Sequence, residues 1–328
     1  MTQMMADTDV IKTAVDLACR APSLHNSQPW RWVANKTSVD LFVRPPRMLK
    51  STDRSDREAI ISCGAALDHF RVAMAAAGWA VVVDQLPNPI NLSHLASISF
   101  SSTGYATPAR RERADAMLLR RTSRVPFRAP KHWPSFERVL RSSFANDLVT
   151  LDVLAPDVRS RLVEASQLTE ALRRYDDCYH RELSWWTAPS SYSEGIPESA
   201  LVSELDTRRV ELNRQFDGDP SGRRSSAGTY DQAKILVLST PRDTRADALD
   251  CGEALSAVLL ECTMAGLATC PVTHLTELNA SRAIIRDLTS GPAAVPQVLI
   301  RVGIEPEGEL APKPTPRRPL REVLEIRR

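Results

Sequence analysis

The chain has 328 residues, enough for one large core or two of ordinary domain size. Hydrophobic residues make up 43% and charged residues 25%, an ordinary globular balance that argues against a disordered chain. Forty-two Lys and Arg against 40 Asp and Glu leave a net charge of +2, which excludes a global attraction to nucleic acid or anionic lipid.

The N-terminus, Met1 to Val10, carries two Asp and no Lys or Arg, which is not the pattern of a signal peptide. No continuous apolar run reaches the roughly 18 residues of a membrane span. A soluble, cytoplasmic protein is therefore expected. An amphipathic helix is predicted from about Asp9 to Cys19, and Pro22 stops it. The loop Ala21-Pro-Ser-Leu-His-Asn-Ser-Gln-Pro-Trp30 follows, stiffened at its far side by Pro29. Its Ser23, His25, Asn26, Ser27 and Gln28 form a dense set of donors and acceptors. The loop is either a polar turn before the strand Trp30 to Val33 or a binding loop for a planar heterocycle.

The segment Cys63 to Ala80, CGAALDHFRVAMAAAGWA, recurs as Cys251 to Ala268, CGEALSAVLLECTMAGLA, at a constant offset of 188 residues. Seven of 18 positions are identical, against the one or two that ordinary residue frequencies give by chance. This reads as one helix used twice. Its second copy is apolar around most of its circumference and should be buried on several sides. The first copy is followed by Val81-Val82-Val83, a turn with Pro87 and Pro89, and the strand Ala96 to Phe100. The second is followed by Thr269 to Thr273, a helix near Ser281 to Leu288, and the strand Gln297 to Val302. Helix, strand and strand recur in the same order. The boundary between the halves is placed near residue 108, where Thr107-Pro108 opens a new helix running to about Leu119.

After that helix, Arg120, Thr122 and Arg124 alternate. If the stretch is extended, the three side chains point the same way. Two guanidinium forks with a hydroxyl between them suit a phosphate. The alternative is a solvated basic helix end beside the helix dipole. With 36 Arg and 6 Lys in the chain, arginine abundance alone is no argument; only the spacing counts. The segment from about Thr187 to Gln232 is rich in Pro, Gly and Ser, with helical periodicity from Glu198 to Arg214. It is either a cover for a site or a surface excursion. At the C-terminus, Arg317 and Arg318 either complete an anion site or cap an exposed tail. Pro271-Val-Thr-His274 follows the second repeated helix, where backbone can approach a ring.

The six cysteines form no CxxC pair and show no zinc spacing, so reduced, buried thiols are expected and no metal site. There is no GxGxxG turn, P-loop or GxSxG elbow, which makes a Rossmann fold unexpected.

Together these segments resemble the nitroreductase superfamily, whose members are normally homodimers with FMN at the subunit interface. Arg120-Arg121-Thr122-Ser123-Arg124 is similar to the family's Arg-Arg-Ser-x-Arg phosphate motif, with Thr122 for Ser. Ala21 to Trp30 is similar to its Pro-Ser-x-x-Asn-x-Gln-Pro-Trp loop, which reaches the FMN from the other subunit. Gly266 to Pro271 resembles the turn over the flavin ring. Arg317 aligns with the arginine of the family's C-terminal Lys-x-Arg, but Thr315 stands where the lysine would be. The whole pattern, including Trp185-Trp186-Thr187 and Gly195-Ile196-Pro197, is similar to the fused, two-half Acg-type members from mycobacteria, which are associated with dormancy.

The resemblance implies an α+β, nitroreductase-like fold of two tandem halves, 1–108 and 109–328, forming an intramolecular pseudo-dimer, with an insertion or lid at about 187–232. It implies FMN held by Pro22, Ser23, Leu24, Asn26, Arg120, Thr122, Arg124, Pro271, Thr273 and Arg317. The first half has the Pro-Ser loop without Arg-x-Thr-x-Arg, and the second half has the reverse. One complete site, one FMN per chain and a monomer follow. No side chain is named as catalytic, because a flavin itself carries the electrons. The implied function is NAD(P)H-dependent reduction of nitro or quinone-like compounds; the alternative is a non-catalytic protein that stores or sequesters FMN under a lid. Nucleic-acid binding is not expected, since no aromatic residue interleaves the basic ones.

Overall fold

The computed structural model describes residues 6–143, 148–188, 194–214, 216, 230–291, 294–306 and 314–327. In chain order the elements are α1 (Thr8–Ala18), β1 (Trp30–Ala34), β2 (Val39–Val43), α2 (Arg57–Ala76), β3 (Trp79–Gln85), β4 (His94–Ser102) and α3 (Pro108–Leu119). There follow α4 (Trp133–Ser142), β5 (Thr150–Val153), α5 (Arg159–Arg173), α6 (Asp177–Thr187), α7 (Glu204–Val210) and β6 (Lys234–Thr240). The chain closes with α8 (Arg245–Met264), β7 (Ala268–Val272), α9 (Asn279–Arg286), β8 (Val295–Gly303), α10 (Leu320–Val323) and β9 (Leu324–Ile326).

Two mainly antiparallel sheets share one topology. The first runs β3-β4-β2-β1-β9 and the second β7-β8-β6-β5. Replacing β1, β2, β3 and β4 by β5, β6, β7 and β8 converts one order into the other, with β9 added at the edge of the first. Register agrees as well. The β2–β4 ladder slips between Leu41 and Phe42, where Leu41 faces Ala96. The β6–β8 ladder slips between Leu238 and Ser239, where Leu238 faces Val298. These are matching places in the two sheets, and they carry no shared sequence motif. The fold is α+β and nitroreductase-like, built from two tandem sets of elements.

The repeated helices α2 and α8 lie at the centre. The capping box of Thr244 and Asp247 starts α8. Asp53 stands in at the start of α2, its carboxylate accepting from the Ala59 amide at 2.9 Å. The helices cross at Gly64 and Gly252, which are 188 positions apart. A Cβ on Gly64 would run into the Leu249 carbonyl oxygen, and one on Gly252 into that of Ile61. Both glycines are there because two backbones touch. Sixteen of the 20 residues of α2 are buried, so its apolar length is spent on protein contacts. Ile60, Leu67, Leu249 and Leu259 belong to one continuous core that both sheets share.

Three sequence expectations need correction. The helical stretch expected over Glu198–Arg214 is a short 3-10 turn at Glu198–Ala200 followed by α7, because Glu211 takes a left-handed φ of 60° that ends the helix. The remainder of the 187–232 insertion, 189–193, 215 and 217–229, lies outside the described residues. The C-terminus is not a tail beyond the core: β9 pairs in parallel with β1, Leu324 facing Trp32. All six cysteines are free, but Cys178 is exposed on the outer face of α6 rather than buried.

Candidate functional site

Two adjoining chambers open between the halves, and the ten residues singled out from the sequence all line them. The lower chamber is bounded by Pro22, Ser23, Asn26, Arg120, Thr122, Arg124 and Arg317. The upper one shares Pro22, Ser23, Thr122 and Arg124 and adds Leu24, Pro271 and Thr273. The Arg120–Arg124 stretch is extended, as the alternation required. Thr122 bridges to Thr269 in parallel, and the Ser123 amide donates to the Thr269 carbonyl at 2.9 Å.

The lower chamber is a cluster of guanidinium groups. Arg20 and Arg121 join Arg120, Arg124 and Arg317 on its wall, and among the described residues no carboxylate lines it. Arg120 is 5% exposed, and its Nε and Nη1 have no hydrogen-bond partner. Its Nη2 makes only a long contact, 3.4 Å, with the Arg20 carbonyl. Burial, then the charges of Arg20 and Arg121, lowers its pKa to about 10. Burial and neighbouring arginines likewise lower Arg317 and Arg124. A buried cation that lacks both hydrogen-bond partners and a counter-charge is expensive unless an anion completes it. Arg20 was not anticipated from the sequence, where it reads as a basic residue just past a helix. Its Nη1 donates to the Thr315 carbonyl at 3.3 Å, so it supplies a positive charge beside the place where Thr315 replaces lysine.

Arg317 and Asn26 are tied to the backbone. Arg317 donates to the carbonyls of Cys19 at 2.7 Å, Arg20 at 3.2 Å and Ala21 at 3.3 Å. The Asn26 amide donates to Gly195 at 3.0 Å and Pro316 at 3.2 Å, joining the Pro-Ser loop to the insertion and the C-terminus. The loop holds three non-glycine residues at positive φ: His25 at 47°, Asn26 at 56° and Gln28 at 50°. Such backbone persists only where contacts over-determine it. Besides the Asn26 bonds, the Leu24 amide donates to Ser62 Oγ at 3.2 Å and the Gln28 amide to Ser23 Oγ at 3.1 Å.

The upper chamber has an apolar lining from Leu24, Ile61, Leu255, Pro271 and Val272, with hydroxyls at Ser23, Ser62, Thr122 and Thr273. It also holds ionisable groups that sequence reading missed: Glu58, Arg214 and His274. His274 contacts Ser166 Oγ through Nε2 at 3.0 Å, and burial and then Arg214 lower its pKa to about 3, so it is neutral. Burial, Arg214 and Arg124 also push His25 well below the usual histidine range. Arg214 is held by Glu277 and donates to the Tyr179 hydroxyl at 2.7 Å. Glu58 and Arg214 carry no local sequence signal; tertiary packing alone brings them to the cavity.

Described residues of the 187–232 segment line both chambers. Ile196, Pro197 and Ala200 line the lower chamber, and Asn213, Arg214 and Phe216 the upper. The Phe216 ring sits 5.9 Å from that of His25 and 5.7 Å from the Arg124 guanidinium. The two chambers have free volumes of about 120 and 60 Å³.

At the positions related by the repeat offset, polar side chains meet one another. Positions 188 residues before Thr273 and after Ser62 are Gln85 and Asp250. There the Gln85 amide donates to Asp250 at 2.9 Å and to Glu253 at 3.2 Å, bridging the space that stays open between Thr273 and Ser62.

The protein-family model of the nitroreductase family matches residues 155–304. The chain is 54% identical over 327 residues to a Mycobacterium tuberculosis protein named "Putative NAD(P)H nitroreductase acg", covering 100% of this chain and 98% of the relative. It is 36% identical over 334 residues to a second protein of that organism, "Putative NAD(P)H nitroreductase Rv3131", covering 99% and 94%. Among solved structures, one from Anabaena variabilis described as a "putative nitroreductase" superposes with a TM-score of 0.50 at 9% identity, covering 90% of this chain and 73% of that one.

Proposed function

The chain belongs to the nitroreductase family, and from that premise we propose that it binds one FMN in the two chambers between its halves, residues 1–108 and 109–328, and works as an NAD(P)H-dependent flavin oxidoreductase on nitro or quinone-like compounds. The observation that carries the reading is the buried Arg120 guanidinium, two of whose nitrogens lack partners, in an arginine-lined chamber without a carboxylate among the described residues. The residues fit the cofactor. Arg20, Arg120, Arg124 and Arg317 supply charge and donors for a phosphate. The apolar walls and hydroxyls of Pro22, Ser23, Leu24, Thr122, Pro271 and Thr273 suit a flat ring with polar edges. Asn26 holds the loop in place.

Bound FMN would supply the electron-transfer chemistry, and the protein's part is to position it and control access. Arg120 and Arg124 fix the phosphate end. The strained Pro-Ser loop and the end of β7 would hold the ring. Neutral His274 and His25 add no positive charge beside it. Gln85 bonding to Asp250 at the mirror position supports one FMN per chain. The contact of α2 with α8, which buries each helix against its own repeat, supports a monomer.

A second reading, FMN held and covered rather than turned over, is favoured by the placement of Phe216, Arg214 and Asn213 on the upper chamber. In this reading the described part of the segment would compete with a nicotinamide for the face of the ring, since hydride transfer needs a separation of about 3–3.5 Å. Anaerobic addition of excess NADPH to the FMN-loaded protein separates the two. Bleaching of the flavin absorbance supports the oxidoreductase. Bleaching by dithionite alone supports the storage reading.

A further inference from the structure

Glu58 is the one carboxyl group on the wall of either chamber among the described residues. It sits in the first turn of α2 and is 2% exposed. Its Oε2 is buried without a hydrogen-bond partner, while Oε1 has only the long 3.3 Å contact with Arg57. Arg57 cannot do more for it. That guanidinium is engaged by the Gln297 carbonyl at 2.8 Å, the Gln297 side chain at 3.0 Å and the Thr276 carbonyl at 2.9 Å. Glu58 thus lines the upper chamber while one of its carboxyl oxygens is buried with no bond among the described residues.

An oxidised isoalloxazine ring carries several acceptor atoms on its polar edges and one N–H donor. A carboxylic acid can donate to the acceptors, whereas a carboxylate can only accept. Resting on the FMN reading above, we propose that Glu58 is a ligand-positioning residue that donates a hydrogen bond from its free carboxyl oxygen to an acceptor atom of the flavin ring.

The surrounding charges keep the acid form available. Burial, then the Glu277 carboxylate, raises Glu58 to about 8; Asp53 adds to the rise, and Arg57 and Arg214 oppose it. The other titratable groups lining the chamber are His25 and His274, both held neutral, Arg124, Arg214 and the Cys270 thiol. Glu277 spends its charge on Arg214. Glu58 is thus a proton-carrying donor at neutral pH that becomes a bare acceptor above it.

The test is flavin affinity against pH, read by quenching of flavin fluorescence, for both FMN and riboflavin. Riboflavin separates ring effects from ionisation of the phosphate, which titrates near pH 6. The wild-type protein should bind both flavins about tenfold more weakly at pH 9 than at pH 7, since one unit above its pKa an acid is roughly tenfold depleted. Glu58→Gln keeps a donor that does not titrate, so it should bind as tightly as wild type at pH 7 and lose the fall. Glu58→Ala should be weak at both pH values. An equal fall in the wild type and Glu58→Gln, or no fall in the wild type, would overturn the donor role while leaving the FMN reading intact. No FMN binding by the wild-type protein at any pH would overturn both.

Discussion

Ser256 Oγ donates to Asp68 Oδ2 at 2.5 Å, and the two residues are 188 positions apart, the spacing of the repeated helix. Equivalent residues of two copies touch only where a twofold relation passes between them. Gly64 and Gly252 meet in the same way one turn earlier. A homodimer interface would bring together the same pair of surfaces, and here one chain supplies both.

The glycine crossing gives the first prediction. In an isolated helix, Gly→Ala is stabilising by roughly 1 kcal/mol. Gly64→Ala should instead destabilise the protein, by about 1–3 kcal/mol or more, because the new methyl meets the Leu249 carbonyl. Urea unfolding of the variant measures it. A neutral or stabilised variant would mean the two helices can separate without loss.

The second prediction concerns the anion end. Arg120→Ala should weaken FMN binding at least tenfold while changing riboflavin binding little, since charge-assisted hydrogen bonds contribute about 1.5–3 kcal/mol and riboflavin has no phosphate. Arg124→Ala should show the same selectivity. Equal losses for both flavins would put these side chains on the ring or in the scaffold.

The third is a pH dependence of folding without ligand. Burial raises Glu58 to about 8 and Glu253 to about 7, so the folded state holds these protons more tightly than the unfolded chain does. Their contribution to stability is present below the ordinary carboxylate range and is lost as pH rises through the folded values. The buried histidines oppose this only below about pH 6.5, where the unfolded chain would protonate them. From pH 6.5 to 8 the melting temperature should therefore fall, and Glu58→Gln should remove about 2 kcal/mol of that fall. An unchanged slope in the variant would show that Glu58 is ionised in the folded protein throughout.

Local motifs carried much of the fold and the candidate site. The Arg120–Arg124 alternation, the loop between Pro22 and Pro29 and the repeated helix are short-range patterns, and each has the backbone its spacing asked for. What failed was what only tertiary packing decides. Glu58 reads as an ordinary acidic residue in a helix first turn, favourable beside the dipole. The charges that act on it besides burial include Glu277 and Arg214, more than 150 residues away. Arg20 reads as a basic helix end and gains its position only because the C-terminal segment folds back to put Thr315 beside it. The strand Leu324–Ile326 is too short for any periodicity and exists because β1 offers an open edge. The Glu198–Arg214 periodicity was misleading, since the Ser203 cap and a left-handed Glu211 bound a much shorter helix.

Titration of the ligand-free chain with FMN, followed by fluorescence quenching and checked by acid release of the bound flavin, tests the central claim most directly. The mirror position, where Gln85 bonds to Asp250, and the arginine-lined chamber found among the described residues predict a sharp endpoint at one FMN per chain. An endpoint at two would show that the mirror position opens to a second cofactor, and no saturable binding would show that the arginine chamber serves some other anion.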